Sequence, residues 1–539
     1  MPETKFDYII VGAGSAGCVL AERLSVNGRY RVLVLEAGGS DRRFYVHLPL
    51  GYGKLFYDPA VNWLYKTEPD PGLAGNRDHW PRGRILGGSS SINAMVWIRG
   101  HASDYTDWGA LAGDAWGPQA VRAAYRQIED NEAGGDAYRG TGGPLFISAN
   151  RHDLHPLCDT FIKSAGAAGL AANKDFNGAE QEGVGIYQMT IKGRRRNSAA
   201  RAFLRPAMKR GNVTVLTDAQ VSRVIFEGRR ASGVEYRHKG TLHQIRAGRE
   251  VILSGGAINS PQLLMLSGIG AAGHLKDKGL PVVADNPNVG AHLSDHQGLN
   301  YTWRMKVPTY NDILRPWWGK MWVGMQYFLT GGGPLAKSIN HAGGFFRTSP
   351  DLPRPNMQLY MQAFSTLIPR DGERPLLTPD PFSGLSLGLS NCRPTSRGRI
   401  TLHSSDPFAH PKIVANAYST DQDVAEMLTA VKFLRRIAAC DPMRGLIAEE
   451  LRPGPEVRSD ADLIADMRAR SGTVYHPSCT ARMGMDAASS VTGPDLKVHG
   501  TEGLRVCDAS VFPALIGGNT NAPSILVGWI GAERILADA

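Results

Sequence analysis

The feature that most constrains the fold is the stretch FDYIIVGAGSAG, residues 6–17. A short apolar strand pattern runs into Gly12, Gly14 and Gly17, and the helical pattern CVLAERLSV follows. Gly12 allows a tight turn, Gly14 lets a pyrophosphate approach the backbone, and Gly17 lets helix and strand pack closely. The N–H groups at the start of the helix then attract the anion.

A second strand pattern, RVLVLEAG, places Glu36 at its tip, where the carboxylate can accept hydrogen bonds from ribose hydroxyls. Strand, glycines, helix, strand and acid follow one another within about 30 residues, which is the arrangement of a Rossmann dinucleotide site. A glycine-rich turn without function would not require this ordered set of features. The fingerprint by itself does not choose between NAD and FAD.

The chain has 539 residues, which is too long for one ordinary hydrophobic core, so two or more domains are predicted. Its composition is that of a globular protein, with 42% hydrophobic and 20% charged residues. The net charge of +10 would suit a nucleic acid, but the positive charges are dispersed. The densest basic run, KGRRR at Lys192–Arg196, has no interleaved aromatic residues, so we predict a solvated loop and no nucleic-acid partner.

Six cysteines are spread over the chain without a CxxC pair, which predicts reduced thiols and neither a disulfide framework nor a zinc site. The first residues, MPETKFDYIIVG, enter a strand pattern at once, so no signal peptide is expected. No run of about 18 apolar residues occurs, so no transmembrane segment is predicted. These observations favour a cytoplasmic protein.

Two further motifs are rich in small residues. GRILGGSSSIN, Gly83–Asn93, places Gly87 and Gly88 before three serines, so its backbone can approach a flat ring or a phosphate. LRVCDASVFPALIGGNTNAPSI, Leu504–Ile525, places Asp508 directly after a strand pattern, where it can face the middle of a bound dinucleotide.

A third motif, REVILSGGAINSPQLLMLSGIG, is interpreted as a later strand of the nucleotide sheet that returns to the ligand edge. The strand Val251–Leu253 is predicted to break at Gly255–Gly256, and a helix to begin near Ser260. Pro261 would then lie in the first helical turn, where its missing N–H has no intrahelical partner to lose.

Taken together, these motifs resemble the glucose–methanol–choline (GMC) oxidoreductase family, in its alcohol/choline dehydrogenase-like branch. GRILGGSSSIN is similar to the first family signature and GGAINSPQLLMLSGIG to the second, and the resemblance includes DNPNVGAHLSDH and GGNTNAP. It runs nearly from end to end. The resemblance implies a fold of the α/β plus α+β class: a discontinuous, Rossmann-like FAD-binding domain and an inserted substrate-binding (cap) domain built on an antiparallel sheet.

The resemblance also implies which residues hold FAD. They match the family's positions around the adenine, the pyrophosphate and the flavin. The residues are Gly12, Gly14, Ser15, Ala16, Gly17, Glu36, Trp63, Gly87, Gly88, Asn93, Ala94, Val221, Asp508, Ala509 and Thr520.

Three further positions bear on how far the chain follows the family pattern. Some members attach FAD through a histidine just before the Asn93 position; here this residue is Ile92, which predicts non-covalent FAD. Trp63 resembles a tryptophan near the flavin edge, and a core tryptophan is an equal alternative. His292 stands where the family usually has asparagine, and we have no account of that change.

The segment TVYHPSCTARMG contains His476, which in the family faces the flavin N5. The resemblance therefore implies that His476 is the catalytic base, and imidazole titrates near neutral pH as this role requires. Asn519 matches the second active-site position and supplies a donor to the developing alkoxide, with Asn521 as second choice. A packed histidine and a metal ligand are the alternatives, and no second ligand lies at metal-binding spacing, so no metal is predicted.

The implied activity is FAD-dependent oxidation of a primary alcohol to an aldehyde, by base-assisted hydride transfer to flavin N5. A neutral apolar or aromatic alcohol is favoured, because no Glu lies between Gln297 and Gly372 and because His341 stands where choline dehydrogenases tend to carry an acid. The electron acceptor, whether quinone, soluble carrier or oxygen, is not encoded, and neither is the oligomeric state. An FAD-containing lyase and a sugar or polyol dehydrogenase of the same family are the alternatives.

The segment RPWWGKMWVGMQYFL, Arg315–Leu329, is rich in aromatic residues and methionine. Trp318, Trp322, Met325 and Leu329 fall on one face of a predicted helix. Ordinary cap-domain core is the favoured interpretation. A hydrophobic substrate entrance and an interfacial helix in peripheral contact with a membrane are the alternatives.

The predicted domain boundaries follow the family pattern. The stretch Gly388–Ile413 is predicted to form strands of the sheet over the flavin. The FAD-binding domain is assigned to residues 1–155, 195–299 and 471–539, and the substrate-binding domain to residues 156–194 and 300–470.

Overall fold

The computed structural model of the chain describes residues 6–367 and 378–539. In this part of the chain, two seven-stranded sheets carry the architecture. Their strands in chain order are β1 (Phe6–Val11), β2 (Val32–Leu35), β3 (Gly183–Ile186), β4 (Val213–Leu216), β5 (Ala219–Glu227), β6 (Arg230–His238), β7 (Thr241–Leu253), β8 (Gln297–Met305), β9 (Ala342–Phe346), β10 (Met357–Gln362), β11 (Gly384–Asn391), β12 (Ile447–Arg452), β13 (Gly472–Thr473) and β14 (Leu504–Val506).

The longer helices of the described residues cover these sheets and connect them. They are α1 (Ser15–Ser25), α2 (Ala102–Ala112), α3 (Pro118–Ile128), α4 (Leu157–Ala167), α5 (Gly256–Leu266), α6 (Trp317–Leu329), α7 (Asp421–Ala439), α8 (Asp460–Arg470) and α9 (Asn521–Ala537).

The first sheet has the strand order β4–β2–β1–β7–β6–β5, with β14 also paired to β7. Strands β4, β2, β1, β7 and β14 run parallel, whereas β5 and β6 form an antiparallel meander with the first half of β7. Ile9 of β1 lies opposite both Leu33 and Val251, so its side chain is buried between neighbours on each side. Continuous apolar runs such as VLVL in β2 are typical of parallel strands covered on both faces.

Distant parts of the chain complete this sheet. The last three residues of β7 pair with β14, as in the register Ile252 opposite Arg505. Helix α9 packs on α1 so closely that a Cβ on Gly528 would lie 2.8 Å from the Ala16 carbonyl oxygen. The mixed α/β architecture with a Rossmann-like sheet therefore agrees with the fold class predicted from the sequence.

The second sheet is antiparallel, with the strand order β12–β8–β11–β10–β9–β3 and β13 paired to β8. Tyr301 of β8 lies opposite Leu387 of β11, and Leu359 of β10 lies opposite Leu389. These four side chains are buried in a second hydrophobic core, which also receives one face of helix α7. Among the described residues, the two largest hydrophobic cores are therefore associated with one sheet each.

The stretch Gly388–Ile413 only partly follows the prediction. Its first residues belong to β11 of the antiparallel sheet, but Arg399–Thr401 pairs with Lys412–Val414 in a separate two-stranded ribbon. Ile400 and Ile413 of this ribbon pack into the core of the parallel sheet. The prediction that the whole stretch forms the sheet over the flavin is therefore wrong for its second half, because this ribbon is separate from the antiparallel sheet and its apolar side chains are buried in the other core.

Helix α5 begins four residues before the predicted start near Ser260, at Gly256, and Pro261 lies inside it. A proline within a helix leaves the carbonyl four residues before it without an N–H partner. Here that carbonyl belongs to Ala257, and the Thr480 hydroxyl donates a hydrogen bond to it at 2.6 Å. The prediction for Pro261 was wrong because this compensation comes from a residue more than 200 positions away.

Replacing Thr480 by valine is expected to lower the free energy of unfolding by about 1–3 kcal/mol, because it leaves the buried Ala257 carbonyl unpaired. Thr492→Val is the matched control, since Thr492 is equally buried and its hydroxyl has no hydrogen-bond partner. Urea unfolding of both variants tests this. An equal effect of the two substitutions would contradict the assigned role of Thr480.

Helix α6 contains the aromatic segment, and it is not core. Only Gly319 and Val323 of this helix are buried, whereas Trp318, Trp322 and Leu329 are exposed. The cap-core interpretation of this segment is therefore wrong. Among the helices of residues 6–367 and 378–539, none has both the length and the apolar character to cross a bilayer.

Candidate active site

A cavity of about 610 Å³ is lined by residues of both sheets and their connections. One end is formed by the glycine-rich turn after β1, including Gly12 and Gly14, and the other by β8 and β10 of the antiparallel sheet. His476 lines the cavity.

Three helices begin at this glycine-rich end. Ser15 of α1, Gly256 of α5 and Asn521 of α9 are the first residues of their helices, and all three line the cavity. The Ser15 hydroxyl donates a hydrogen bond of 2.8 Å to the Asn521 side-chain oxygen, which holds two of these N-termini together. Helix N-termini carry unpaired N–H groups and partial positive charge, so this end suits a phosphate-bearing ligand.

The glycines of this end divide into two groups. A Cβ on Gly12 would lie 2.4 Å from the Ser254 carbonyl oxygen, and one on Gly17 would lie 2.0 Å from the Gly12 carbonyl oxygen, so both serve close backbone packing. A Cβ on Gly14 would have its nearest neighbour at 3.8 Å, and one on Gly256 would meet no atom within 4 Å. Gly14 and Gly256 therefore leave space beside the helix N-termini, as a pyrophosphate requires.

The Glu36 carboxylate is fixed at the end of β2. It accepts hydrogen bonds from the backbone N–H groups of Ala13, at 2.9 Å, and Gly38, at 2.8 Å. Burial raises the pKa of Glu36 to about 7, against the opposing effect of these two hydrogen bonds. Each carboxylate oxygen keeps a further lone pair, so Glu36 can also accept from ribose hydroxyls.

Asp508 is also buried, and its carboxylate caps helix α5. It accepts hydrogen bonds from the Gly256 N–H at 2.9 Å and from the Ser260 hydroxyl at 2.5 Å, and a third from the Ser510 N–H. Burial raises the pKa of Asp508. This explains why α5 begins at Gly256, and it ties the segment after β14 to the start of α5.

The other functional end is organised around His476. Its Nδ1 lies 2.9 Å from Nδ1 of His296, and Nε2 of His296 lies 3.1 Å from the Cys392 carbonyl oxygen. Because a carbonyl only accepts, His296 carries its proton on Nε2 when neutral, and its Nδ1 accepts from His476. His476 therefore carries its own proton on Nδ1, which leaves the lone pair on Nε2.

The Asn519 side chain is oriented by a similar chain of contacts. Gln358 donates from Nε2 to the Asn519 side-chain oxygen at 3.1 Å, so the Asn519 amide nitrogen points to Nε2 of His476, also at 3.1 Å. Gln358 also donates to the Tyr187 hydroxyl at 3.2 Å, and that hydroxyl donates to the Leu359 carbonyl. The cavity is thus presented with an unprotonated imidazole nitrogen beside an amide N–H donor.

The electrostatic surroundings keep both histidines neutral. Burial lowers the pKa of His476 well below its ordinary value, and the neighbouring His296 and Arg82 lower it further. Burial likewise lowers the pKa of His296 to about 4. The His476 backbone N–H donates to the Asp295 carboxylate at 2.8 Å, which fixes the chain at this point.

The structure brings most of the predicted site residues to one cavity. Gly17 and Gly87 do not line it, and they instead support the two glycine-rich loops. The predicted residues that line the cavity are Gly12, Gly14, Ser15, Ala16, Glu36, Trp63, Gly88, Asn93, Ala94, Val221, His476, Asp508, Ala509, Asn519 and Thr520.

Sequence reasoning missed His296 and Gln358. His296 orients the His476 ring, and Gln358 orients the Asn519 side chain. His296 was visible only as the last letter of DNPNVGAHLSDH, and nothing local ties it to His476. His341 is buried and is not among the residues lining the cavity, so its residue type carries no argument about the substrate. Among residues 6–367 and 378–539, no three His, Cys, Asp or Glu side chains are grouped as metal ligands.

A Rossmann-like sheet with three helix N-termini at one end of a cavity, and a histidine–asparagine pair on the same cavity, defines a dinucleotide-dependent oxidoreductase. The GMC oxidoreductase family model matches residues 6–298 in its N-terminal part and residues 394–528 in its C-terminal part. The chain belongs to the GMC oxidoreductase family.

Similar proteins cover nearly the whole chain. An alcohol dehydrogenase [acceptor] of Pseudomonas putida is 42% identical, over 98% of this chain and 96% of the relative. The mitochondrial choline dehydrogenase of Homo sapiens is 40% identical, over 98% of this chain and 90% of the relative. The crystal structure of pyridoxine 4-oxidase from Mesorbium loti superposes with a TM-score of 0.89 at 29% identity, over 99% of both chains.

The family membership identifies the cofactor and the class of reaction. The chain is an FAD-dependent oxidoreductase that acts on the CH–OH group of alcohols. The space at Gly14 and Gly256, the helix N-termini and the buried Glu36 carboxylate fit the dinucleotide part of FAD.

Proposed function

We propose that this enzyme oxidises a neutral, apolar or aromatic primary alcohol to an aldehyde, with His476 as base and Asn519 as hydrogen-bond donor. One observation carries the proposal: Nε2 of His476, which carries the lone pair, accepts a hydrogen bond from the Asn519 amide at 3.1 Å, and both residues line the cavity. An alcohol oxygen that takes the place of this hydrogen bond can lose its proton to the imidazole while the amide stabilises the negative charge that develops.

FAD is proposed to bind without a covalent bond. Ile92 lines the cavity at the position where a linking histidine would stand, and its side chain has no nucleophilic atom. Glu36 would hold the ribose, the N-termini of α1 and α9 would hold the pyrophosphate, and Asn93 and Ala94 would lie beside the flavin. When bound, FAD supplies the acceptor for the hydride that leaves the alcohol carbon.

The protein's part in the reaction is proton removal and orientation. His476 is neutral at physiological pH because burial lowers its pKa, so Nε2 is ready to accept the O–H proton. His296 is a positioning residue: it accepts from Nδ1 of His476 and thereby keeps the lone pair on Nε2. Asn519 cannot rotate freely, because Gln358 holds its side-chain oxygen.

The walls of the cavity support a neutral substrate. Arg470 is paired bidentately with Asp466, at 2.5 and 2.6 Å, so its charge is compensated. The carboxylates of Glu36 and Asp508 are bound to backbone N–H groups away from the histidine. The residues that line the antiparallel-sheet end are mostly apolar, aromatic or amide-bearing: Leu299, Asn300, Ile339, Asn340, Tyr360, Gln362 and Phe364.

The antiparallel sheet is proposed to be the substrate-binding (cap) domain, inserted into the FAD-binding domain. Strands β8, β10 and β11 of that sheet contribute lining residues, whereas the glycine-rich end belongs to the parallel sheet. The proposed boundaries remain 1–155, 195–299 and 471–539 for the FAD-binding domain and 156–194 and 300–470 for the substrate-binding domain.

Choline is the second candidate substrate, because choline dehydrogenases are among the relatives at about 40% identity. Asp78 also lines the cavity and carries negative charge, although one of its oxygens accepts from the Thr473 N–H at 2.6 Å. A trimethylammonium group would need such a carboxylate or an aromatic face.

The deciding experiment compares choline with 3,3-dimethyl-1-butanol, its neutral analogue of nearly the same shape, under anaerobic conditions. We expect the neutral alcohol, and benzyl alcohol with it, to bleach the flavin absorbance at least about tenfold faster than choline, because charge burial is costly without a dedicated partner. Glycerol serves as the polyol control. Faster reduction by choline would reverse the order of the candidates, and no reduction by any alcohol would favour the lyase. Adding oxygen or a soluble quinone to the reduced enzyme then identifies the acceptor.

A further inference from the structure

The outer face of helix α6 is an unusually dense patch of exposed apolar side chains. Seven large apolar residues of this 13-residue helix have exposed fractions between 43% and 81%. Exposed apolar side chains on soluble proteins normally occur singly, and a contiguous patch of this kind marks an interaction surface. We call it the α6 face; its residues are Trp317, Trp318, Met321, Trp322, Met325, Phe328 and Leu329.

A second segment of the chain extends the α6 face. The Phe44 ring stacks on Phe328, with ring centroids 6.4 Å apart and planes inclined by 20°. Tyr45 packs edge-on against Phe44, and both residues are exposed. The Lys54 ammonium lies over the Tyr45 ring and also donates to its hydroxyl at 3.0 Å. The apolar surface therefore spans two elements and has a cation at its edge.

The densest basic run of the sequence lies beside the same surface. The Tyr327 hydroxyl of α6 donates to the Arg194 carbonyl oxygen at 3.2 Å, and the Arg194 side chain lies against Gly331, just after the helix. Lys192, Arg194 and Arg195 are exposed. None of these three residues lines the cavity, and Lys192 is paired with Asp130 at 3.8 Å.

The charged side chains in and around helix α6 are all basic along the chain segment 313–350. Residues 313–350 contain Arg315, Lys320, Lys337 and Arg347 but neither Asp nor Glu. Lys320 is exposed on α6, between Trp318 and Met321. Acidic side chains of neighbouring segments compensate part of this charge: Asp153 lies close to Gly332, and Glu182 pairs with Arg347 at 3.0 Å. The α6 face is thus apolar in the middle and predominantly basic at its edges.

This combination fits one class of partner best. Tryptophans next to lysine and arginine are the side chains that settle at the boundary between lipid headgroups and acyl chains. Basic residues at the edge gain energy from anionic lipids, about 1 kcal/mol per cation near the surface. A 13-residue helix is about 20 Å long, too short to cross a bilayer, and an exposed helix can lie flat on it.

We propose that the α6 face, together with Phe44 and Tyr45, binds the surface of a bilayer that contains anionic phospholipid. Binding to a bilayer through this face does not depend on which alcohol is oxidised. The segment after α6 leads to Ile339 and Asn340, which line the cavity. Substrate-lining residues and the membrane-binding helix therefore belong to one continuous stretch of chain.

Vesicle co-sedimentation of the FAD-loaded protein tests the proposal. Vesicles of phosphatidylcholine alone are compared with vesicles containing about 30% phosphatidylglycerol, and binding is expected to be stronger to the anionic vesicles and to weaken with salt. Intrinsic tryptophan fluorescence is expected to shift to the blue on binding, because Trp317, Trp318 and Trp322 are exposed in the free protein.

Two sets of variants separate the contribution of the apolar side chains to vesicle binding from that of the basic side chains. The triple variant Trp318→Ser, Trp322→Ser, Phe328→Ser is expected to lower the partition coefficient by more than about tenfold, because bound apolar area is lost. The matched control replaces three exposed apolar residues elsewhere, Leu111→Ser, Leu242→Ser and Met485→Ser, and is expected to bind like the parent. The pair Arg195→Gln and Lys320→Gln is expected to remove the preference for anionic vesicles. Retained flavin absorbance and an unchanged melting temperature show that each variant is folded.

Three outcomes would overturn the proposal. One is no sedimentation with either vesicle, and another is equal loss of binding in the triple variant and in its control. The third is a concentration-dependent oligomer that the triple variant abolishes while the parent ignores vesicles, since the α6 face would then be an interface between copies of this chain.

Discussion

Replacing His476 by alanine is expected to leave FAD bound and to slow the reduction of the flavin by alcohol by about 10²–10⁴-fold. The imidazole Nε2 is the acceptor of the O–H proton in the proposed reaction, and alanine offers no replacement. FAD should remain bound, because the residues proposed to hold its dinucleotide part, Glu36 and the helix N-termini, do not include His476. Stopped-flow absorbance under anaerobic conditions measures the rate directly.

The matched control is His403→Ala, which removes an exposed histidine that does not line the cavity. This variant should be reduced at the parental rate. If His476→Ala were also reduced at the parental rate while retaining FAD, His476 would not be the base. If the His476→Ala variant lost FAD, His476 would also be needed for cofactor binding, a role that its contacts do not indicate.

Replacing Gly14 by leucine is expected to give a folded but colourless protein. A Cβ at Gly14 would have its nearest neighbour at 3.8 Å, so the chain tolerates a side chain there. That side chain would occupy the space beside the helix N-termini that a pyrophosphate requires. The occupancy of FAD, measured from the ratio of visible to ultraviolet absorbance, should fall by at least about tenfold, because a buried clash costs more than 1–3 kcal/mol.

Substitutions at two other glycines serve as comparisons for Gly14→Leu. Gly166→Leu alters an exposed helical glycine with no atom within 4 Å of its Cβ position, and it should stay fully yellow. Gly17→Ala should lose folded protein as well as colour, because its Cβ would lie 2.0 Å from the Gly12 carbonyl oxygen. A yellow Gly14→Leu protein would show that the cofactor does not approach this turn.

The glycine-rich end of the cavity could be predicted from the sequence because its parts are local. Gly12, Gly14 and Gly17 lie within six residues of one another, and their steric roles follow from strand, turn and helix geometry alone. The same holds for Glu36 at the end of its strand. The general α/β architecture follows from these local signals together with the motif order.

The contacts that orient His476 could not be predicted, because they join distant parts of the chain. His296 lies 180 positions from His476, and Gln358 lies 161 positions from Asn519. Pro261 was misplaced for the same reason, since the hydroxyl that makes it acceptable belongs to Thr480. Apolar periodicity also cannot distinguish a buried helix from one that carries an exposed docking surface, so α6 was assigned to the core.

The pairing of β7 with β14, and of α1 with α9, also determines the order in which this protein can mature on the ribosome. Ser254 and Cys507, whose hydrogen bond joins the two strands, are 253 residues apart, and synthesis proceeds at about 5–20 residues per second. For many seconds the nascent chain therefore carries a complete nucleotide fingerprint whose sheet edge and helix face are still uncovered. The cavity itself is completed last, because Asn519 and the first residue of α9 are among its lining residues.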